Sequence, residues 1–523
     1  MTLNSKGSLA MMALLSFSAS AQLIDQTRAP NAEGDGIRKS YAEQIGAGRG
    51  DWSTPESSSF IIARDPFRAI RRGRQLFNRK FSREQGLGPI VGDGRGDINT
   101  TLAIGAGLSD SCTGCHGVPR GSAGFGGGVV TRPDSRNAPH LFGLGLREML
   151  ADEITAELRA RRDEAISAAR ATQSRVVRPM RAKGIEYGEI TTNPDGTVDL
   201  SKVKGVDLDL RVRPFFAHGG EYSIRAFVVG ALQNEMGMQA VDPDLAQAVA
   251  GRRVVTPAGM VLDGSLDKLD PPPAADASAD PDGDGVLNEV PQAVVDFMEF
   301  YLLNYFKPGH AEENETTAHG REIFSRVGCA SCHISNLQID RDRRVAEVET
   351  VYNPVNGIFN NLFATATPLF EAVDDSSGHP AVKQPAIKPF LVRDIFTDFK
   401  RHDLGPSFYE RDYDGSMRKE FMTLPLWGVG STPAYGHDGR SMTLHEVILR
   451  HGGEAQASRD AYAALGRLDR QDMLEFLNSL ILFPPDDTAS NLNPGNRSAE
   501  YFPQRGHGSI ALTVLFNNPR DPE

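Results

Sequence analysis

The chain has 523 residues, with 56 Lys and Arg against 68 Asp and Glu, for a formal net charge of −12. That balance argues against nucleic acid and anionic membrane surfaces as partners, while a basic protein partner is compatible with it. The length allows about three domains, or two with large insertions, and the charged and hydrophobic fractions are ordinary for a globular protein.

At the N-terminus, Lys6 precedes an apolar run from Leu9 to Phe17, and Ala19-Ser20-Ala21 forms a small-x-small cleavage signal before Gln22. The run is too short to span a bilayer, and nothing later is long enough. The expectation is a cleaved signal over 1–21 and a soluble periplasmic protein without stable membrane insertion; a retained N-terminal anchor is the alternative. Loss of Lys6 with the signal takes the charge from −12 to −13. Residues 22–63, polar and rich in Gly and Ser, read as an irregular arm. A helix is expected from about Pro66 through Phe67, Ile70, Arg74 and Phe77.

The stretch Cys112-Thr113-Gly114-Cys115-His116 returns 217 positions later as Cys329-Ala330-Ser331-Cys332-His333. In CxxCH two thiols add to the vinyl groups of a haem, and the histidine becomes the proximal iron ligand. Two covalent c-type haems are therefore expected. A CxxC zinc or redox site is the competing reading, but it does not require histidine directly after the second cysteine. All four cysteines lie in the two motifs, leaving none for structural disulfides.

Other blocks recur in the same order, as a duplication requires. Gly73-Arg74-Gln75-Leu76-Phe77 precedes the first motif and Gly320-Arg321-Glu322-Ile323-Phe324 the second, each phenylalanine being expected to face a haem crevice. Pro139 to Gly145 is matched, one residue shorter, by Pro425 to Gly430. Phe215 to Ala231 lies without a gap on Tyr435 to His451, placing Ile224 on Leu444 and Ala231 on His451. The halves differ in their insertions. The first, 151–213, opens with a charged helix from Ala151 to about Ala171, whose Ile154, Leu158 and Ile166 suffice for one shallow contact stripe. The second, 340–420, has little regular periodicity. Loops of this length in compact domains are functional or disordered, and specificity is expected to reside there.

Between the halves, 266–292 is a linker holding Asp280-Pro281-Asp282-Gly283-Asp284-Gly285. Carboxylates at loop positions 1, 3 and 5 followed by glycine resemble an EF-hand loop, but position 12 is Pro291, which cannot supply the closing carboxylate. Glu289 is the candidate substitute; bound Ca2+ and a solvated acidic turn both stay open. The apolar segment from Val294 to Phe306 reads as a buried helix joining the domains. The expected fold is mainly α: two tandem cytochrome-c-like haem domains, 64–265 and 293–523, with long irregular insertions.

A haem iron with only its proximal histidine can meet peroxide or dioxygen, whereas one with two strong ligands is limited to electron transfer. The repeat gives the His333 haem a second histidine, His451, and the His116 haem none. These residues, with Arg136-Asn137-Ala138-Pro139, Asn234-Glu235-Met236-Gly237, Leu424 to Gly430 and His437-Asp438-Gly439-Arg440, resemble the bacterial dihaem cytochrome c peroxidase superfamily, most closely its branch of dihaem oxidoreductases described as peroxidases or thiol oxidoreductases. The resemblance spans 66–455 without the insertions. It implies that Glu235 moves protons over the open haem, that His451 ligates the electron-transfer haem, and that His437 lies in the loop beside that haem, contacting a propionate. It also implies a Ca2+ ion between the domains at Asn137 and the Thr432 backbone. Taken alone, Glu235 also reads as a surface glutamate at a helix end.

The chain departs from this pattern in two places. No histidine lies between His116 and His140 to cap the first haem, so no reductive priming is expected. The tryptophan that bridges the haems in many relatives is replaced by Phe215, Phe216 and Ala217, with His218 new beside them. The function expected is a dihaem c-type oxidoreductase that reduces hydrogen peroxide with electrons from a small cytochrome c or cupredoxin. The competing readings are a dihaem enzyme using dioxygen or a high-valent state on an organic substrate or a protein side chain, and a pure electron carrier with Met236 or Met238 as an extra ligand. His140 is expected to be structural or propionate-facing; His402 and Trp427 receive no role.

Overall fold

The computed structural model describes residues 39–88, 109–117, 123, 137–311, 313–351, 363–412 and 415–482, with two short paired segments at 22–23 and 507–508. The signal and cleavage site expected over 1–21 lie outside the described residues. No helix among the described residues is long and apolar enough to cross a membrane.

Helices run in the order α1 (Tyr41–Ile45), α2 (Ser58–Arg64), α3 (Pro66–Asn78), α4 (Thr113–His116), α5 (Leu144–Thr172), α6 (Ile224–Met236), α7 (Pro243–Val249), α8 (Gln292–Asn304), α9 (Glu315–Arg326), α10 (Leu444–Arg450), α11 (Gln456–Ala463) and α12 (Arg467–Asn478). The arm expected to be irregular over 22–63 holds α1 and nearly all of α2. Ser40 and Ser57 cap the two helices, and Ile61 and Ile62 bury against the core. Helix α3 starts where expected, with Pro66 in its first turn and the Asp65 side chain accepting from the Arg68 N–H.

Two glycines explain how the halves are built alike. At Gly73 an added Cβ would stand 2.1 Å from the carbonyl oxygen of Phe297 on α8, and at Gly320 it would stand 2.0 Å from that of Asp472 on α12. Only glycine lets these helix pairs cross so closely. Gly145 and Gly430 do the same against Leu303 and Asn478, the last turns of the same two helices. Thus α8 stands to α3 as α12 stands to α9. Helix α8, expected to join the halves, belongs by packing to the first; it is buried all round from Ala293 to Asn304, its carboxylates Asp296 and Glu299 paired with Arg225. The ungapped alignment has a structural counterpart: Phe215 bridges Glu221 as Tyr435 bridges Ser441. Ser223 caps α6 as Thr443 caps α10.

The insertions are far more regular than their sequences suggest. Helix α5 begins at Leu144, runs for 29 residues, and buries Ile154 and Leu158 completely, leaving Ile166 partly exposed. The stripe expected to be shallow is deep because strands β1 (Val176–Ala182), β2 (Ile185–Thr192) and β3 (Val198–Asp199) form an antiparallel sheet that covers it. The β1–β2 turn carries Lys183 and Gly184 at positive φ, as a tight hairpin requires. Segment 340–420, expected to lack regular structure, contains antiparallel pairs. Among them Phe370–Val373 pairs Val382–Pro385, and Arg401–Asp403 pairs Glu420–Met422; Phe390–Val392 pairs Leu337–Ile339 just before the segment. Helix outweighs strand, but the fold is mixed rather than all-α. One apolar cluster joins the two insertions: Leu158, Tyr187 and Ile190 pack with Leu337, Val392 and Trp427. Tyr187 Oη also donates to the Asp398 carbonyl at 2.9 Å.

Candidate haem site

A single cavity of about 750 Å³ is lined from both halves. Both CxxCH segments reach it, with Phe77 and Phe324 in its wall as the GRxxF pattern implies. Each motif is closed as one helical turn by the histidine N–H donating to the first cysteine carbonyl, at 3.0 Å for His116 on Cys112 and 3.0 Å for His333 on Cys329. The four thiols are free and half-buried. Burial pushes the Cys112 and Cys329 thiols up to about 12, and burial followed by the Glu235 charge raises Cys115.

The tautomers of three histidines follow from their partners. His116 Nδ1 lies 2.8 Å from the Pro139 carbonyl, His333 Nδ1 3.0 Å from that of Phe396, and His451 Nδ1 2.7 Å from that of Val447. A carbonyl only accepts, so each Nδ1 carries the proton and each Nε2 keeps its lone pair. That is how a metal-ligating histidine is held by its outer partner. His333 is pushed down to about 4, first by burial and then, among smaller effects, by the nearby His451, which burial also lowers. The donor set therefore fits two haems: a pair of thiols and an imidazole anchored through Nδ1 at each motif, and a further anchored imidazole beside the second.

Other expected residues reach the same cavity. Glu235 lines it on the last turn of α6, which Gly237 ends at φ +69. His437 lines it too, but its ring stacks on Phe421 at 4.1 Å between centroids and its Nε2 is 3.2 Å from a Glu410 carboxylate oxygen. Such an engaged imidazole suits a contact role rather than ligation. Asn137 bonds across the halves: its N–H donates to the His437 carbonyl at 2.8 Å and its side-chain amide to the Ala434 carbonyl at 3.0 Å. Thr432 Oγ1 donates to the Gly428 carbonyl. Met236 lines the cavity, whereas Met238 is buried in the core and does not. Asp280, Asp282, Asp284 and Glu289 do not line it.

Some lining residues had no role from sequence. His402 bridges Asp398 and Glu454 at 2.9 Å each. Burial would lower its pKa, but hydrogen bonds to Asp398, Cys332 and Glu454 hold it up to about 11, so it is an imidazolium beside the second motif. His140 Nε2 donates to the Trp427 carbonyl at 2.8 Å, which makes it a tie between halves; burial pushes it down to about 4. Glu221 is raised to about 7 by burial and then by Asp270. The only sequence signal for His402 was the turn His402-Asp403-Leu404-Gly405, because its second carboxylate partner, Glu454, comes from a separate segment.

Two CxxCH turns with anchored imidazoles opening on one cavity define a site of the haem oxidoreductase class. Residues 336–480 match the family model described as "Di-haem oxidoreductase, putative peroxidase", the family that the motifs resemble. The matched segment begins just after His333 and includes His437 and His451. No curated protein matches the chain. Among solved structures it is similar to a chain of Kuenenia stuttgartiensis hydrazine synthase, pressurized with 20 bar xenon, at 17% identity and a TM-score of 0.22. That match covers 36% of this chain and 55% of the other, little over half its length, and carries no further argument.

Proposed function

We propose that the chain is a periplasmic dihaem c-type oxidoreductase of peroxidase type, built as two cytochrome-c-like units. Hydrogen peroxide is reduced at the His116 haem, with electrons entering through the His333/His451 haem from a small cytochrome c or cupredoxin. The observation that carries this is the unequal provision of imidazoles anchored through Nδ1 to a backbone carbonyl, His116 at the first motif and His333 with His451 at the second, while His140 on the first side is tied through its Nε2 to the Trp427 carbonyl. Bound haem supplies the iron and the electron storage.

The chain's own residues supply the rest. His116 and His333 hold their Nε2 atoms toward the site because the Pro139 and Phe396 carbonyls accept hydrogen bonds from their Nδ1–H groups. Glu235 receives the proton of the near peroxide oxygen and returns it to the departing one, so peroxide, two electrons and two protons give two waters. Phe77, Phe215 and Phe227 wall the first side with apolar surface that limits water around Glu235. A Ca2+ ion held by Asn137 and the Thr432 backbone, where the halves already bond to one another, belongs to the same proposal.

The test is an EPR and optical spectrum of the ferric holoprotein before and after one equivalent of hydrogen peroxide. One high-spin and one low-spin haem, with the high-spin signal consumed by peroxide, is the expected result. Glu235→Gln should slow that consumption by about 10²–10⁴-fold, the range for loss of a positioned acid–base group. Two low-spin haems indifferent to peroxide, before and after reduction, would sink the reading in favour of electron transfer alone.

A further inference from the structure

The acidic loop expected only as a candidate from sequence has a more definite geometry. Carboxylate oxygens of Asp280, Asp282 and Asp284 lie within 4.8 Å of one another, close enough to share one ion. An acidic cluster of this kind is common on surfaces, but here a buried carboxylate, that of Glu289, lies outside the 4.8 Å group and within reach of its charges. Glu289 is only 3% exposed, and its Oε1 has no hydrogen-bond partner among the described residues. The charges acting on that carboxyl are Asp282, Asp284 and Asp280. Gly86 makes room for it, since a Cβ there would stand 2.3 Å from Glu289 Cγ. A buried carboxylate in the field of three others is unfavourable as an anion without a cation.

The second oxygen of Glu289 is committed elsewhere. Oε2 accepts from the Gln239 N–H, and the chain continues as a short parallel bridge between Ala240 and Val290. Val290 N donates to the Gln239 carbonyl at 3.3 Å, and Val241 N to that of Val290 at 2.9 Å. Gln239 stands four residues after Glu235, just beyond the Gly237 turn. The Glu289 carboxyl is thus placed between the acidic loop and the turn that carries the proton-handling residue.

We propose that Asp280, Asp282, Asp284 and Glu289 form a Ca2+ site that holds the Glu235 turn in place. The ion takes one oxygen from each aspartate and the outward oxygen of Glu289, which enters at the tenth loop position in place of the twelfth used by an EF-hand. With the ion bound, Glu289 is drawn toward the loop without losing Gln239, and segment 235–241 loses freedom. Glu235 is a catalytic residue only on the peroxidase reading; the ion site itself does not depend on that reading.

Calorimetric titration of CaCl2 into chelator-treated full-length holoprotein tests the site, comparing the parent with Asp282→Asn/Asp284→Asn. The parent should bind one more equivalent than the variant, or bind it about tenfold more tightly or better. Hydrogen exchange of amides 235–241 should slow on adding Ca2+ in the parent and not in the variant. Because the altered side chains are in an exposed loop, equal melting temperatures in chelator check that the variant folds; Glu289→Gln provides a second variant with the same expectation. Equal stoichiometry and affinity in parent and variants would overturn the site. Loss of the ion with no change in exchange at 235–241 would overturn its hold on the turn. Calorimetry uses no peroxide, so failure of the peroxidase reading leaves this result standing.

Discussion

Gly73→Ala and Gly320→Ala probe the same device in the two halves. The new methyl would stand 2.1 Å from Phe297 O in one and 2.0 Å from Asp472 O in the other, so each helix pair must part by more than about 1 Å to restore ordinary contact. Helix α8 is buried along nearly its whole length and has nowhere to move. Overpacking of this kind costs about 3 kcal/mol at the upper end of its usual range, and the gain of alanine over glycine in a helix returns about 1 kcal/mol. A net loss of about 2 kcal/mol corresponds to about 4–8 °C in melting temperature for a unit of about 200 residues. Far-UV circular dichroism melts of the holoprotein measure this. Gly466→Ser is the control, at φ −60 with nothing within 4 Å of the added Cβ, and should melt like the parent or slightly above it. Since α3 carries Phe77 and α9 carries Phe324 to the cavity, each substitution should also disturb the absorption of its own haem first. Melts of both alanine variants within about 1 °C of the parent would refute the close-crossing argument.

Further expectations concern the site and the core. His451→Gly removes the second imidazole beside His333, so the low-spin EPR signal should turn high-spin while consumption of peroxide at the first haem persists; an unchanged spectrum would show that another residue ligates. The Glu221 carboxyl, raised to about 7 by burial, is protonated more readily in the folded than in the unfolded chain. Its stabilising effect is therefore present below the ordinary carboxyl range and lost as pH rises through about 7, amounting to about 3 kcal/mol. Glu221→Gln should flatten that fall in denaturant titrations run between pH 4.5 and pH 7.5. Arg225 is fully buried with Asp242 at 2.8 Å and Asp296 and Glu299 at 2.9 Å each. Arg225→Leu leaves those carboxylates without their counter-charge and should cost about 3–5 kcal/mol, read from the shift of the urea midpoint.

What could be read from sequence was what short chain segments decide among themselves. A CxxCH turn needs only five residues, because the backbone bond from His116 to Cys112 brings thiols and imidazole together within one helical turn. The duplication was legible because equal units repeat equal local signals: GRxxF before each CxxCH and a proline-to-glycine block after it. Even the pairing of His451 with the second motif followed from the ungapped register of the two halves.

The rest depended on contacts between distant segments, which leave no local pattern. Nothing in the sequence of 151–213 shows that Tyr187 shares one apolar cluster with Val392 and Trp427. The second carboxylate on His402, that of Glu454, lies 52 positions away. The assignment of α8 to the first half depends on Gly73 meeting Phe297 across more than two hundred residues. Local spacing determined which residues could bind haem; tertiary packing decided which of them share one cavity, since burial and charge pairing are properties of neighbours in space rather than along the chain.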